Sequence, residues 1–276
     1  MVNFENKDRY DVSDLKKLVS ILRAPGGCPW DAEQTHESIR RNFLEEAYEA
    51  AEAIDEKNPA HLCEELGDVL MQVIFHADIE ADAGRFDLND VADMSVRKLI
   101  SRHPHVFGDL TVSGSDDVLA NWDALKRTEK NHETVADAMS AVARSLPALW
   151  RAEKIQKKAA KTGFDWPEII GAMDKLREEL GELEDAVQIG AVGNAGEELG
   201  DLLFSAVNAG RFLKIDPEDM LHAACDKFIN RFRSLEAAAL KKGRRLEDMT
   251  LEEMDELYEQ AKKGQATKGL EKKYDD

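Results

Sequence analysis

The chain has 276 residues, 37 Lys plus Arg against 56 Asp plus Glu, and a formal net charge of −19 at pH 7. That length suffices for two small domains, each with its own core, and so acidic a surface excludes the broad electropositive footprint that duplex nucleic acid or an anionic membrane demands. With 43% hydrophobic and 34% charged but only 7% aromatic residues, the composition suits a helical protein better than a sandwich or barrel.

No apolar run approaches the ~20 residues of a membrane span. The polar first segment, residues 1–11, carries no apolar signal core, so a cytoplasmic protein is expected. Cys28, Cys63 and Cys225 are far apart and read as plain thiols, offering neither a disulfide framework nor a zinc pair.

In chain order, Leu15, Leu18, Val19 and Leu22 mark a first helix, stopped by Pro25-Gly26-Gly27. A second is expected over about 35–57, with Ile39, Phe43, Ala47, Ala50 and Ile54 on one face. A third, over about 60–83, carries Leu62, Leu66, Val69, Leu70, Val73, Ile74 and Ala77 at helical spacing, and a fourth follows the turn at Gly84, over about 89–102. Residues 104–133 are irregular, with Ser113-Gly114-Ser115-Asp116-Asp117 as the clearest break and a short helix expected around Trp122. Helical periodicity returns over about 167–188, 194–213, 217–240 and 251–263. No alternating strand pattern competes, and the fold class is all-α. The expected division is an N-terminal domain at 1–110, a linker at 111–145, a C-terminal domain at 146–263 and a disordered tail at 264–276.

The two halves are copies of one another. Glu64-Glu65-Leu66-Gly67-Asp68-Val69-Leu70 recurs 133 residues later as Glu197-Glu198-Leu199-Gly200-Asp201-Leu202-Leu203, and Glu45, Glu46 and Glu49 recur at the same offset as Glu178, Glu179 and Glu182. Residues three apart on a helix point the same way, so Glu46 with Glu49, and Glu65 with Asp68, each form a two-carboxylate claw. An antiparallel helix pair joined through the Asn58-Pro59 turn brings the claws together. Two like charges about 4 Å apart repel by on the order of 4 kcal/mol at an effective dielectric of ~20, and a hard divalent cation relieves that repulsion; all-oxygen ligation suits Mg2+, with Mn2+ as a substitute.

Isolated ExxE pairs in so acidic a chain are usually solvated helix faces. Three features favour a metal site instead. The whole ExxE, 15-residue gap, ExxD pattern occurs twice. Gly67 and Gly200 lie mid-helix, where glycine costs ~1 kcal/mol relative to alanine. Glu46 lies roughly 20° from Ile39 on the helical wheel, which turns it inward in preference to Glu45. Lys98 with Arg102, and Lys227 with Arg231, stand at i and i+4 and suit phosphate oxygens, although an ordinary basic face has the same spacing. Trp30, Trp166 and Tyr258 could stack on a base, but a lone aromatic is more often core. His103 and His105 read as loop residues. A di-iron carboxylate bundle needs inward Glu-x-x-His motifs; Glu33 with His36 and Glu129 with His132 have the spacing but lack an apolar stripe. A purely partner-binding helical protein is the non-catalytic alternative.

Leu44-Glu45-Glu46-Ala47-Tyr48-Glu49 with Glu64-Glu65-Leu66-Gly67-Asp68, preceded by Cys28-Pro29-Trp30-Asp31 and followed by Arg102-His103-Pro104-His105-Val106-Phe107, closely resembles the MazG nucleoside triphosphate pyrophosphohydrolases. Leu146-Pro147-Ala148-Leu149 and Gly163-Phe164-Asp165-Trp166 ahead of the second copy extend the resemblance over most of the chain. It implies two tandem all-α bundles, a homodimer, and cleavage of NTPs or dNTPs to the monophosphate and pyrophosphate, with more weight on the C-terminal copy. Tyr258 stands where the family pattern has tryptophan. The expected mechanism uses Mg2+ held by Glu179, Glu182, Glu198 and Asp201, and in the first copy by Glu46, Glu49, Glu65 and Asp68, to acidify a water that attacks the α-phosphorus. Lys227 and Arg231 would clamp the phosphates, as would Lys98 and Arg102 in the first copy, and Tyr258 would contact the base. Glu178 or Glu197 is the outer-shell residue or general base; the residues do not choose between them.

Overall fold

In the computed structural model the described residues are 4–114, 117–118, 121–122 and 134–271, side chains of 265–271 excepted. They form helices and connecting turns, with no strand among the described residues. The chain divides into two compact units, Met1–Lys126 and Arg127–Asp276, and the division falls within the segment expected as a linker.

The first unit holds α1 (Val12–Arg23), α2 (Pro29–Ala32), α3 (His36–Asp55), α4 (Pro59–Asp82), α5 (Leu88–Arg102) and α6 (Pro104–Phe107). Several acidic residues serve as caps. Asp11 accepts from the amides of Ser13 and Asp14 at the start of α1, and Asp87 does the same for Asn89 and Asp90 at α5, satisfying backbone donors that a helix start leaves unpaired. Between α3 and α4 the chain turns through Lys57, at φ 54°, and Asn58 caps α4 with Pro59 at its first position. So short a connection makes α3 and α4 an antiparallel hairpin, the most extensive helix contact in this unit. Val19, Ile39, Ile74 and Phe75 form its buried core, with Leu15, Leu70 and Met71 against them.

The second unit contains α7 (Val135–Ser140), α8 (Ala148–Ala160), α9 (Ile169–Gln188), α10 (Val192–Leu213), α11 (Pro217–Lys241), a 3-10 turn (Leu246–Asp248) and α12 (Leu251–Glu271). Its central hairpin is α9 with α10, and the turn between them uses Gly190 at φ 70°, 133 residues after Lys57. Glycine takes this left-handed conformation without the steric cost a side chain incurs. A second core of Leu235, Ala239 and Leu257 joins α11 to α12.

Helix α8 is absent from the periodicity reading. Its partly buried positions Leu149, Ala152, Ile155 and Ala159 are interleaved with charges, and its most buried residue is polar, Gln156 at 6% exposure. Trp150 ties this helix down by donating from Nε1 to both carboxylate oxygens of Asp216, 3.0 Å each. Of the short helix expected around Trp122, residues 117–118 and 121–122 are helical and the remainder lies outside the described residues.

Candidate metal and nucleotide site

Each central hairpin closes a carboxylate cluster between its two helices. In the first unit Glu46 and Glu49 project from α3 and Glu65 from α4, with one oxygen from each inside a group whose members all lie within 4.8 Å of one another. In the second unit Glu179 and Glu182 of α9 meet Glu198 of α10 in the same arrangement. Asp68 and Asp201 are not members of these tight triads, yet their charge reaches them: burial first, then Asp68, Glu49 and Glu65, push the Glu46 carboxyl above its ordinary pKa. Burial, followed by Glu182, Glu179 and Asp201, does the same to Glu198. Both shifts record like charges held close together in partly desolvated surroundings.

The donor set fits a hard divalent cation. All six triad donors are carboxylates, and Glu65, 8% exposed, keeps Oε2 buried with no partner, a lone pair whose desolvation a cation would offset. Glu45 is exposed, pairs with Arg41 at 2.7 Å and is not a member of the triad. Gly67 and Gly200 have no packing reason within their units, because a Cβ at either would meet nothing within 4 Å.

Two residues that the sequence reading does not single out join the clusters. His61 approaches Glu65 at 3.2 Å and Glu56 at 3.0 Å, and the hydrogen bond it donates to Glu56, with carboxylate charge around it, raises its pKa. In the second copy Lys175 reaches Glu179 at 2.6 Å and Glu178 at 2.8 Å, and those hydrogen bonds raise its pKa in turn. The available signal was local: both sit four residues before a triad carboxylate, a spacing that faces side chains together. At the offset of 133, Asn194 stands opposite His61 and Asn42 opposite Lys175, so the copies are charged differently.

The second cluster lies beside a cavity. It has a volume of about 520 Å³ and is lined by Lys175, Glu179 and Asp201 together with Gln156, Phe164 and Trp166, within the range of small-molecule sites. Its floor is α10, through Phe204, Ser205 and Asn208. The wall is pinned: Arg211 holds Asp165 with Nη1 at 2.9 Å and Nη2 at 2.5 Å, and Trp166 lies over Gly171, where a Cβ would come within 2.1 Å of the indole.

The other expected site residues stand as follows. Lys98 and Lys227 are exposed on α5 and α11, and Arg102 and Arg231 are half-buried on the same helices. None of the four lines the cavity. Tyr258 packs against the Leu235, Ala239 and Leu257 core, its ring 5.9 Å from Phe228. Trp30 is 60% exposed. His103 holds the carbonyl of Leu99 through Nδ1 at 2.6 Å.

Fold and site together define a class: a tandem helical protein in which each repeat gathers, between two antiparallel helices, a carboxylate cluster that could hold a metal ion. A family model, the MazG nucleotide pyrophosphohydrolase domain, matches residues 34–107 and again 170–235. The Thermotoga maritima nucleoside triphosphate pyrophosphohydrolase/pyrophosphatase MazG is 44% identical over 256 residues, covering 92% of this chain and 97% of its own. The Escherichia coli (strain K12) nucleoside triphosphate pyrophosphohydrolase is 41% identical over 91% of this chain and 97% of its own length. An uncharacterized Bacillus subtilis protein, YabN, is 45% identical over 92% of this chain, which spans 52% of it. The chain belongs to the MazG nucleotide pyrophosphohydrolase family.

Proposed function

We propose that the protein hydrolyses nucleoside and deoxynucleoside triphosphates to the monophosphate and pyrophosphate, and that the C-terminal copy does the work. The observation carrying this reading is that Lys175, Glu179 and Asp201 line the 520 Å³ cavity: a nucleotide in the cavity would have its phosphates within reach of these groups. Relatives named as nucleoside triphosphate pyrophosphohydrolases over nearly their whole length support the activity.

Glu179, Glu182, Glu198 and Asp201 would hold Mg2+, or Mn2+ in its stead. When bound, the ion supplies positive charge against the triphosphate and acidifies water at the site. Lys175, already turned to the carboxylates, supplies a cation beside the phosphates, and Lys227 and Arg231 supply further positive charge from α11. Glu178 or Glu197 accepts the proton of the attacking water. Water oxygen bonds to the α-phosphorus, the bond from that phosphorus to the bridging oxygen breaks, and pyrophosphate leaves. The N-terminal copy, with Glu46, Glu49, Glu65, Asp68, Lys98 and Arg102, is a second cation site that supports the fold. A homodimer is the assembly we favour, because Leu203, Met220, Leu221, Phe228 and Phe232 remain 40–56% exposed on α10 and α11, and a second copy would cover such side chains.

The test is hydrolysis of a triphosphate with Mg2+ in 18O-labelled water. The expected products are pyrophosphate and a monophosphate carrying the label, with activity lost in excess chelator and restored by Mg2+. Orthophosphate and a diphosphate as products, or full activity in chelator, would contradict the reading.

A further inference from the structure

His36, the first residue of α3, meets His76 of α4 at the end of the first hairpin away from the Lys57 turn. Their Nδ1 atoms are 2.7 Å apart, and the ring planes differ by 11°. The 5.0 Å between ring centres is made up by that contact plus one ring radius on either side, so the rings meet edge to edge in nearly one plane. Two bare nitrogens would repel at this distance and two N–H groups would collide. A single proton between them makes a hydrogen bond.

The far side of His36 fixes which protons are present. Its Nε2 lies 2.5 Å from Glu80 Oε1, and hydrogen bonds from Arg85 and then His36 hold the Glu80 carboxyl at about 2, so it is ionised at neutral pH. A carboxylate can only accept, and Nε2 therefore carries a hydrogen. With that position filled, a neutral His36 accepts at Nδ1 from His76, and a charged His36 donates to it. Either state leaves one proton in the line. When both rings are charged there are two, and the contact is lost.

Phe43 of α3 covers His76 edge-on, with ring centres 5.7 Å apart. Burial, then the charge of His36, holds the His76 pKa below its ordinary 6.5. The charges on the elements packed against α4 are engaged elsewhere or exposed. On α1, Asp14 pairs with Lys7, Lys16 with Asp87, and Arg23 with Asp78 and Asp82, while Lys17 is exposed. Asp87 and Asp90 cap α5, Arg85 is bound to Glu80, and Glu37 and Arg40 of α3 are exposed.

We propose that His36 and His76 form a one-proton clasp on the open end of the first hairpin, closed near neutral pH and opened by a second proton in mild acid. At the offset of 133 the second copy has Ile169, Ala209 and Leu213 in place of His36, His76 and Glu80, so the clasp belongs to the first unit alone. A ring kept neutral in the folded chain, and protonated at the ordinary value once unfolded, contributes stability that is present above pH 6.5 and lost as pH falls from there. That window lies above the one in which Glu80 titrates.

The experiment uses the full chain and two readouts. Long-range 1H–15N spectra of the histidine rings at about pH 7.5 should show one Nδ1-bound proton for the pair, with a second appearing on acidification. Urea unfolding midpoints are then compared at about pH 7.5 and 5.5 for the parent and His76→Asn. The asparagine amide offers a donor or, turned over, an acceptor, and does not titrate, so its bond to His36 survives either charge state. The parent midpoint should fall over this window, and the fall should be smaller by at least about half in the variant. Two Nδ1-bound protons on the pair at neutral pH, or none, overturn the inference, and that spectrum needs no variant to fold. An equal fall in parent and variant overturns it as well, since a contact that only packs would lower the midpoint by the same amount at both pH values.

Discussion

On α4 of the first copy Phe75 is 5% exposed, built into a core with Val19, Ile39 and Ile74, with the Arg23 guanidinium carbon 5.4 Å from its ring centre. At the same place on α10 of the second copy stands Asn208, lining a cavity. Gln72 corresponds to Ser205, Ile39 to Ala172 and Asp78 to Arg211. Each exchange but the last shortens a side chain, and the last reverses a charge. The first copy uses its hairpin to bury apolar surface, worth roughly 25 cal/mol per Å². The second gives up part of that burial and keeps an opening beside its carboxylates. The carboxylate triad recurs in both copies while its neighbours differ; on the reading proposed above, that difference separates a stabilising copy from a substrate-binding one.

Apart from the triad carboxylates themselves, the largest effect that would sharpen this contrast is at Lys175. Replacing it with Met removes a cation from the second cluster, and kcat/KM for triphosphate hydrolysis should fall about 10- to 100-fold, the scale of losing an electrostatic partner of the transition state. Asn42→Ala, its counterpart in the first copy, should leave the rate near that of the parent. Equal losses would break the comparison.

An intermediate effect belongs to the first copy alone. Hydrogen bonds from Arg85 and then His36 hold the Glu80 carboxyl at about 2, below its ordinary 4.5. A depressed carboxylate contributes stability that is present above pH 4.5 and is lost as pH falls from there through about 2. Urea unfolding followed by circular dichroism should therefore show a decline over that window, and Arg85→Gln should shrink it. The second copy has Ile169 and Leu213 at the positions of His36 and Glu80 and lacks this source of acid sensitivity. Equal pH dependence in parent and variant would remove Glu80 from the account.

Smallest is the effect of the mid-helix glycines. Gly67→Ala should stabilise by up to about 1 kcal/mol through helix propensity, seen as a melting point a few degrees higher, with activity unchanged. Gly200→Ala should gain similar stability, since neither Cβ meets a neighbour. A loss of turnover confined to Gly200→Ala would mean that the free space beside the second cluster is used by substrate.

Much of this was legible in the sequence because it is periodic. The claws of Glu46 with Glu49 and Glu179 with Glu182 follow from helical spacing, their meeting with Glu65 and Glu198 from a short turn, and their importance from repetition at one offset. The cavity follows from none of these. It depends on how much volume Asn208 and Ser205 fail to fill, on Gln156 from a helix whose apolar stripe is too broken to detect, and on a loop clamped by an ion pair between Asp165 and Arg211, 46 residues apart. Packing and long-range pairing leave no periodic trace. Lys175 was hidden differently, since one lysine four residues before a glutamate is commonplace on solvated helices.

The division of labour is tested most directly by paired substitutions that keep size and remove one ligand charge. Glu198→Gln and Glu65→Gln are compared for pyrophosphate release after circular dichroism confirms that each is folded. The account predicts a loss of at least about 100-fold for Glu198→Gln and a much smaller one for Glu65→Gln; an inactive Glu65→Gln beside an active Glu198→Gln would contradict it.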